Sequence, residues 1–408
     1  MTDDMTLPPF TLTDWEAADI ENPYPVYRRY REVAPVHFGA DRSYYLLGHD
    51  AVAAVLSDRT FGRRAPDSGS AAPMVSGRHS ALRTMVENWL VFLDPPRHTR
   101  LRSVISREFS PPLVAGLRDR IAEIAASLLA DCAGKAEFDL VQAFSAPLPI
   151  LVISELLGVP AADWEWLRNR AVAVQEASSV RAAARGADAF RIADAAAGEL
   201  AGYFLSLAAE RRRTPGADLV SLLVGASLHG TALSAEEIAS TCAHLMMAGH
   251  ETTTNVLGKS VLALAAHPDA LAAVRAGGGL SSAAVEELVR FDGPVQAVTR
   301  WAYADARVGG VDIPRGAKVV AVLGAANRDP AHFPDPDVLL LDRRAGRNVG
   351  FGLGIHYCLG AALARAELEI GLGLLLRALG EFTVTSVEFP NDMVFHGPSA
   401  LWLRRRLE

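Results

Sequence analysis

The chain has 408 residues, a formal net charge of −7 and 50% hydrophobic residues, enough apolar material for a large core. The acidic balance gives no overall field that attracts nucleic acid, and no run of about 18 apolar residues predicts a transmembrane helix. We therefore expect neither a nucleic-acid partner nor a membrane. The start, MTDDMTLPPF, lacks the positive charge and apolar run of a signal peptide, so we expect a cytoplasmic protein.

The chain shows no long Pro/Ser/Gly tract, charge block or internal repeat that would mark a linker. We therefore predict a single domain, residues 1–408. We also expect a monomer. The cysteines, Cys132, Cys242 and Cys358, are too few for a four-thiolate zinc or iron–sulfur cage within one chain. Cys132 and Cys242 lie in alanine- and leucine-rich helical patterns, which indicate buried apolar positions.

The first predicted elements are two short strands, residues 36–39 and 44–48, which form a hairpin. Helical patterns follow in HDAVAAVLSD, HTRLRSVISREF and LVAGLRDRIAEIAASLLADCA. Strand patterns return late, in ARVGGVDIP, AKVVAVLGAA and FTVTSVEF. Because many helices stand beside small separate sheets, without βαβ alternation, we predict a mainly α fold with small β-sheets (α+β).

One predicted helix, residues 234–266, is unusually long, on the order of 50 Å at 1.5 Å per residue. Ser234 and Glu237 form a capping box at its start, and His267–Pro268 ends it. Its centre, AGHETTTN, is a poor helix sequence, because glycine and three threonines all weaken a helix. A helix that weakens itself at its midpoint indicates a function there.

The decapeptide FGLGIHYCLG, residues 351–360, places Cys358 in a glycine-rich loop just before a helical pattern. Glycines permit close backbone approach, and amide groups at a helix start stabilise a thiolate. A thiolate is either a nucleophile or a metal ligand. His356 lies two residues away as a candidate base, but a flat metal cofactor against the loop fits at least as well.

This decapeptide resembles the haem-binding signature of the cytochrome P450 family, Phe-Gly-x-Gly-x-His-x-Cys-x-Gly, at every defined position. The resemblance implies the P450 fold, with haem b between the long helix and the cysteine loop. It implies that Cys358 is the axial thiolate ligand of the iron and that His356 pairs with a haem propionate. Phe351 and Gly360 are then further cofactor-binding residues.

Three more residues become propionate partners by the same comparison. His98 and Arg102 stand four residues apart on one predicted helix, and Arg300 follows in PVQAVTRWA. The alternative for the first two is a solvated basic stripe. The resemblance instead implies a clamp, for which the bidentate geometry of arginine is suited.

The segment EELVRF places Glu287 and Arg290 on one face of a helix. Alone, this spacing indicates an exposed ion pair worth about 0–1 kcal/mol, but here it resembles the family's buried, structural Glu-x-x-Arg pair. Two positions depart from the family pattern: Val338 stands where many relatives have an arginine that completes a triad, and Asn348 where histidine is common. We expect a buried pair whose third contact comes from backbone or a different arginine.

The helix centre AGHETT resembles the family's oxygen-binding groove. Ala248 and Gly249 are small enough for close approach to haem, and Glu251 and Thr252 form an acid–alcohol pair. Such a pair can deliver the protons needed to break the O–O bond of dioxygen. The alternative is a threonine-rich kink packed in the core.

The chain contains no flavin or iron–sulfur segment, so the resemblance implies external electron donors, a ferredoxin and its reductase, fed by NAD(P)H. A basic docking patch would comprise Arg100, Arg107, Arg347 and Arg365, although each alone is more simply a solvated residue. Apolar candidates for contact with a mid-sized organic substrate are the loop around Met85, Trp89 and Val91, then Met247, Val295, Ala297 and Phe395; each is equally explained as core.

The resemblance implies a monooxygenase that hydroxylates or epoxidises a mid-sized organic molecule, in secondary-metabolite biosynthesis such as that of polyketides or macrolides. Two other classes stay open: a haem-thiolate enzyme for oxidative coupling or peroxygenation, and a non-catalytic haem-binding sensor. The second would not need Glu251 and Thr252.

Overall fold

The structure, a computed structural model, describes residues 7–66, 75–177, 187–228, 233–344 and 346–406. Helices predominate in these residues, and the predicted α+β class is confirmed. The described α-helices are Ala17–Glu21, Tyr24–Val33, His49–Ser57, Ser80–Glu87, Arg97–Glu108, Pro111–Gly116, Arg118–Asp131, Pro147–Leu157, Trp164–Gln175, Ala187–Arg213, Leu219–Leu228, Ala235–Ala266, Pro268–Ala276, Ser282–Phe291, Leu323–Ala326, Ala361–Glu367 and Gly373–Leu379.

The strands are short, as the sequence patterns predicted. They are β1 (Val36–Phe38), β2 (Tyr44–Leu46), β3 (Phe61–Gly62), β4 (Glu137–Asp139), β5 (Ala297–Ala302), β6 (Ala306–Val308), β7 (Val311–Ile313), β8 (Lys318–Val322), β9 (Phe382–Glu388) and β10 (Ala400–Arg405). Within the described part of the chain, no helix combines the length and apolar character that crossing a membrane requires.

The chain divides into two compact units. The first comprises Met1–Asp67, Asn255–Cys358 and Thr383–Leu403, and the second comprises Ser68–Thr254, Leu359–Phe382 and Arg404–Glu408. The single domain expected from the absence of a linker stays a prediction.

The first unit contains a five-stranded sheet in the order β1-β2-β8-β5-β3. Its β1–β2 pair is the predicted hairpin, with Val36 opposite Leu46, and β2 lies parallel to β8. Because side chains alternate along a strand, one set of sheet residues packs with Val52 and Val55 of a neighbouring helix. Another set joins an aromatic cluster that includes Phe10, Tyr27, Tyr30 and Tyr45. The sheet is thus covered by apolar side chains from both ends of the sequence.

The predicted strand pattern ARVGGVDIP forms the two-stranded β6–β7 hairpin. Its turn residues Gly309 and Gly310 have φ of +56° and +83°, conformations that favour glycine. The strands predicted from AKVVAVLGAA and FTVTSVEF are β8 and β9.

The second unit is helical, and one prediction within it was wrong. The pattern LVAGLRDRIAEIAASLLADCA predicts one helix, but the structure has two, Pro111–Gly116 and Arg118–Asp131. Glycine at position 116 weakens the helix, and the Leu117 amide bonds to Val114 O at 3.1 Å in a tightened turn. The next helix then starts with the Ile121 amide bonding to Leu117 O at 2.8 Å.

The long helix, Ala235–Ala266, has 32 residues and matches its prediction. Its capping box is present: the Glu237 amide donates to Ser234 Oγ at 3.1 Å, and the Ser234 amide donates to Glu237 Oε2 at 3.1 Å. The helix ends where Pro268 begins the next one. The division between the two units falls after Thr254, within this helix.

Candidate active site

The cysteine loop, residues 351–360, is closed by a hydrogen bond from the Cys358 amide to Phe351 O at 2.8 Å. Gly352 and Gly354 have φ of +69° and +66°, which only glycine adopts without strain. A Cβ on Gly354 would also lie 2.3 Å from Leu56 O. The glycines of the motif are therefore needed for the backbone path that presents Cys358.

The three cysteines have different surroundings. Cys132 and Cys242 are buried, and burial raises the pKa of both thiols. Each is therefore held as a thiol in the helical packing predicted from the sequence. Cys358 is only partly buried and lies between the 3₁₀ turn Gly354–His356 and the helix Ala361–Glu367. It is the cysteine best placed to ligate a metal.

Asn348, which departs from the family pattern, stabilises the backbone just before the cysteine loop. Its Oδ1 accepts from the Gly350 amide at 2.9 Å, and its Nδ2 donates to Glu286 Oε2 at 2.9 Å. Asn327 Oδ1 accepts from the Val349 amide at 2.8 Å. Side-chain amides thus hold the backbone entering the loop, a role that the sequence did not reveal.

Glu287 and Arg290 form the buried pair that the family resemblance predicted, and not the exposed pair that their spacing alone indicates. Arg290 Nε and Nη2 donate to Glu287 at 2.6 and 2.8 Å, and the two residues are 2% and 3% exposed. Arg343 completes the triad, with its Nε 3.0 Å from Glu287 Oε1. Val338 contributes its carbonyl, which accepts from Arg343 Nη2 at 2.7 Å, while its side chain is exposed. The missing arginine is thus replaced from five residues further on.

Two other predicted cofactor residues lie in the first unit. Arg300 is on β5, 5% exposed, with Nη1 donating to Thr299 O at 3.0 Å. His356 ends the 3₁₀ turn Gly354–His356, two residues before Cys358. Their contact with a haem propionate stays a prediction.

In the second unit, His98 and Arg102 lie one turn apart on the helix Arg97–Glu108. His98 is 2% exposed, and its burial, with Arg102 beside it, lowers its pKa. A neutral His98 donates a hydrogen bond but adds no charge, so Arg102 is the positive partner of this pair for a carboxylate.

The long helix has one open face at its centre. Ala248 is exposed and His244 and Thr252 are partly exposed, although most neighbouring positions on this 32-residue helix are buried. Residues at i, i+4 and i+8 share a face, so these three form one stripe. Met247, a predicted substrate contact, is 4% exposed and off this stripe, with its carbonyl accepting from Gln175 Nε2 at 3.0 Å. The open face therefore displays Ala248 and not Met247.

The predicted acid–alcohol pair lies at this open centre. Thr252 Oγ1 donates to Ala248 O at 2.8 Å, one turn back along the helix, and Glu251 is partly exposed. Gly249 packs near Ile153, where a Cβ would sit at 3.5 Å in ordinary contact. Contact with Ile153 therefore does not require glycine at position 249. The absence of a side chain there is consistent with the cofactor-binding role predicted from the resemblance.

His244 was missed in the sequence, although the spacing to Ala248 and Thr252 was a usable signal. Its ring stacks on Trp89, with centroids 5.1 Å apart and planes 11° apart. Burial lowers the pKa of His244 to about 4, so it is neutral near pH 7. The buried indole N–H of Trp89 has no hydrogen-bond partner within the described chain. A polar group thus stands beside the open face.

The other predicted substrate residues belong to both units. Val295 and Phe395 face each other across an antiparallel β-bridge, which brings together two distant parts of the sequence. Ala297 packs in the aromatic cluster of the first unit. The predicted loop around Met85 was wrong: Met85 lies buried on the helix Ser80–Glu87, and Val91 lies in the 3₁₀ turn Leu90–Phe92 with 37% exposure.

Three of the four arginines predicted to dock a ferredoxin make contacts within the chain. Arg100 pairs with Glu237 and Arg107 with Glu108. Arg347 lies over the Tyr357 ring, 4.9 Å from its centroid. Such contacts leave part of each charge available, so docking stays a prediction.

His49, Asp50 and His332 bring three metal-type ligand atoms within 4.8 Å. The two imidazoles are stacked, with centroids 3.5 Å apart and planes 11° apart. Lone pairs in parallel ring planes do not converge on one ion, so we assign no metal to this cluster.

A cysteine in a glycine loop, in a chain whose long helix has an open face centred on Ala248, suits an oxidoreductase that holds haem through a thiolate. Ala248 leaves room for a flat group such as haem. The residues predicted to bind the haem carboxylates are cations or neutral hydrogen-bond donors. The residues present therefore fit a haem.

Comparison with known proteins gives the family. The sequence model described as Cytochrome P450 matches residues 188–277 and 280–398. The cytochrome P450 monooxygenase PikC of Streptomyces venezuelae is 37% identical over 407 residues, covering 94% of this chain and 91% of that protein.

Two solved structures are also similar. P450BioI, in complex with an acyl carrier protein ligated with hexadec-9Z-enoic acid, superposes with a TM-score of 0.87 at 32% identity, covering 96% of this chain and 99% of that one. CxnD, a cytochrome P450 for C–S bond formation in chuangxinmycin biosynthesis, gives 0.81 at 33% identity, covering 95% of each chain. The chain belongs to the cytochrome P450 family and is a P450 monooxygenase.

Proposed function

We propose that this enzyme inserts one oxygen atom of dioxygen into a mid-sized, largely apolar organic molecule, by hydroxylation or epoxidation, in secondary-metabolite biosynthesis such as that of polyketides or macrolides. The observation that supports this most is the open face of the long helix, where Ala248 and Thr252 lie with Glu251 at the helix centre. A non-catalytic haem sensor would have no use for an acid and an alcohol there.

The cofactor would be haem b, held by the Cys358 thiolate, and when bound it would supply the iron that activates dioxygen. Phe351, Gly360, Ala248 and Gly249 form the rest of its surroundings. Residues proposed to bind its propionates are His98, Arg102, Arg300 and His356.

The chain's own catalytic task is proton delivery. Insertion consumes two electrons and two protons per dioxygen, and releases one oxygen atom as water. The Thr252 hydroxyl now donates to a helix carbonyl and can turn to hold a water, while Glu251 passes protons from solvent to that water. The Glu287, Arg290 and Arg343 triad has a structural role, fixing the backbone before the cysteine loop.

His244 suggests one polar requirement of the substrate. A neutral imidazole on the open face favours a substrate that carries a hydroxyl or carbonyl oxygen. Apolar residues such as Trp89, Val91, Val295 and Phe395 would cover the rest of it.

Electrons come from NAD(P)H through a ferredoxin reductase and a ferredoxin, which dock by complementary charge. The protein works as a monomer, and its cytoplasmic location stays a prediction from the sequence. The substrate is free or carrier-bound; P450BioI is one relative that has a carrier protein in its complex.

A second candidate function is oxidative coupling. It is considered because the similar structure CxnD is an enzyme for C–S bond formation. One experiment separates the two. The purified holoprotein is titrated with a compound library to find ligands that shift the haem from low to high spin. The hits are then turned over with a surrogate ferredoxin and reductase under ¹⁸O₂.

Incorporation of one labelled oxygen atom into the product supports monooxygenation. Loss of two hydrogens without label would support coupling instead. Absence of any NAD(P)H-dependent product from every hit would overturn both.

A further inference from the structure

Lys259 is a buried cation on the long helix that the oxygen chemistry does not use. It is 0% exposed, whereas Lys318, one of the other two lysines, has a 39% exposed side chain. A buried ammonium is strongly unfavourable unless each of its protons finds an acceptor. Its retention in the interior therefore indicates a specific set of partners.

The three protons of Lys259 have three acceptors. Its Nζ lies 2.7 Å from Asp292 Oδ1, 2.7 Å from His396 Nδ1 and 3.1 Å from Gly293 O. Asp292 Oδ1 also accepts from the Tyr24 hydroxyl at 2.6 Å. Lys259, Asp292 and His396 are called the lysine cluster below. Every ammonium proton is satisfied, so the cluster is geometrically defined.

The tautomer of His396 follows from its two contacts. Its Nε2 lies 2.6 Å from Ile20 O, which can only accept, so Nε2 carries the proton. Nδ1 must then accept from Lys259. Burial and the neighbouring Lys259 lower the pKa of His396 to about 4, and Phe389 stacks on its ring at 4.9 Å. His396 is therefore neutral and fixed in orientation near pH 7.

The lysine cluster contacts the segment that bears Phe395, since His396 belongs to both. This segment, residues 392–397, is called the Phe395 turn below. The His396 amide donates to Pro294 O at 2.8 Å, and Asn255, one helical turn before Lys259, donates to Phe395 O at 3.4 Å. Gly397 packs so close that a Cβ would lie 2.4 Å from Asn255 Cβ. The turn is held against the C-terminal half of the long helix at three successive residues.

We propose that Lys259 and its partners Asp292 and His396 are positioning residues that fix the Phe395 turn, and with it the bridged pair Val295 and Phe395, so that the turn sets the size of substrate admitted. The claim about substrate size rests on the proposed function. The claim that the cluster holds the turn stands on the contacts alone.

The first test measures the turn in the substrate-free holoprotein, by hydrogen–deuterium exchange of peptides covering residues 392–397. Two variants are compared, His396→Gln and the charge-neutral double variant Lys259→Met with Asp292→Asn. The double variant avoids leaving one buried charge unpaired. Lys318→Met, which removes a partly exposed ion pair with Asp41, is the matched control.

Exchange in the Phe395 turn is expected to rise at least about tenfold in both cluster variants and to stay unchanged in Lys318→Met. Unchanged exchange in the cluster variants would overturn the proposal. Should the double variant not accumulate as folded holoprotein, His396→Gln decides alone.

The second test measures size selection with imidazole, phenylimidazole and biphenylimidazole, whose binding is followed in the haem spectrum. The ratio of the biphenylimidazole Kd to the imidazole Kd is expected to change by about tenfold in the cluster variants and not in the control. If exchange increases while the ratio of Kd values stays unchanged, the claim that the cluster holds the Phe395 turn is supported, and the claim that the turn sets substrate size is overturned. Failure of Cys358 to ligate haem would be seen separately, in the spectrum of the unsubstituted protein.

Discussion

Arg343 Nε lies 3.0 Å from both carboxylate oxygens of Glu287, on a carboxylate that Arg290 already holds with two hydrogen bonds. The Leu340 amide adds a further hydrogen bond to Glu287 Oε1 at 2.9 Å. Two guanidinium groups thus offset one buried carboxylate and link the helix Ser282–Phe291 to the segment that leads to the cysteine loop.

Replacing Arg343 with alanine should therefore destabilise the fold. Removing one partner from a buried ionic network typically costs about 3–5 kcal/mol, because the remaining charges stay buried. We expect a loss near the lower end, since Arg290 still pairs with Glu287. Chemical denaturation and haem content per protein measure the effect. Arg344→Ala, at the exposed neighbouring position, is the control, and equal stability of the two variants would contradict the role of Arg343.

Thr252→Ala tests proton delivery at the open face. Haem content and ligand binding should be retained, because the hydroxyl bonds only to a helix carbonyl in the structure. NAD(P)H consumption should continue, while product falls by about a hundredfold and hydrogen peroxide rises, because protons no longer reach the correct oxygen atom. Glu251→Gln should slow the whole cycle.

The chain offers a matched control for this change. Thr254 Oγ1 makes the same bond one turn back, to His250 O at 2.9 Å, but its side chain is buried. Thr254→Ala should leave the ratio of product to NAD(P)H consumed unchanged. The same uncoupling in both variants would show that loss of helix order, and not of proton delivery, is responsible.

His244→Phe tests the polar substrate contact. Phenylalanine preserves the stack on Trp89 but removes both ring nitrogens. Loss of one hydrogen bond to a buried substrate oxygen should weaken binding by about tenfold, read from the spin-state titration of a substrate found in the library. An analogue of that substrate without the oxygen should bind both forms equally. Equal weakening of the two ligands would indicate a change of shape instead.

Glu367 gives the protein a pH dependence of stability. It is 2% exposed, burial raises its pKa to about 8, and no hydrogen bond reaches its Oε2 within the described chain. Between the ordinary value of 4.5 and about 8, the unfolded chain loses this proton while the folded chain keeps it. Stability is therefore lost as the pH rises through this window.

Glu367→Gln removes this titration. The stability of the variant relative to the parent should rise by about 1.4 kcal/mol per pH unit across the window and stay level below it. Urea denaturation at several pH values provides the measurement. Glu369→Gln, which alters a partly exposed ion pair with Arg118, should show no such slope, and a flat difference for Glu367→Gln would refute the raised pKa.

Local signals predicted much of this structure. The Ser234–Glu237 capping box, the glycine turn of the β6–β7 hairpin and the cysteine loop all depend on residues close in sequence, and each is present. Such features follow from short-range hydrogen bonds and φ preferences. The family resemblance then supplied the fold.

Long-range contacts were not predictable in the same way. Arg343 takes the place of the arginine missing at Val338 because the segment between them turns back, with the Arg343 amide donating to Leu340 O at 3.0 Å, and spacing alone does not show this. In the sequence Lys259 looks like an ordinary helix residue, and only the structure shows that Asp292 and His396 contact it. The face on which His244 lies could have been predicted, because His244 is four residues from Ala248 and eight from Thr252 on the same helix.

The central claim is that Cys358 ligates haem iron as a thiolate, and the reduced CO complex tests it most directly. The unsubstituted protein should show the red-shifted Soret band of a thiolate-ligated complex. Cys358→Ser should abolish that band, while Cys132→Ser and Cys242→Ser, which alter buried thiols, should retain it. Survival of the band in Cys358→Ser, or its loss in either of the other two variants with haem content unchanged, would contradict the assignment.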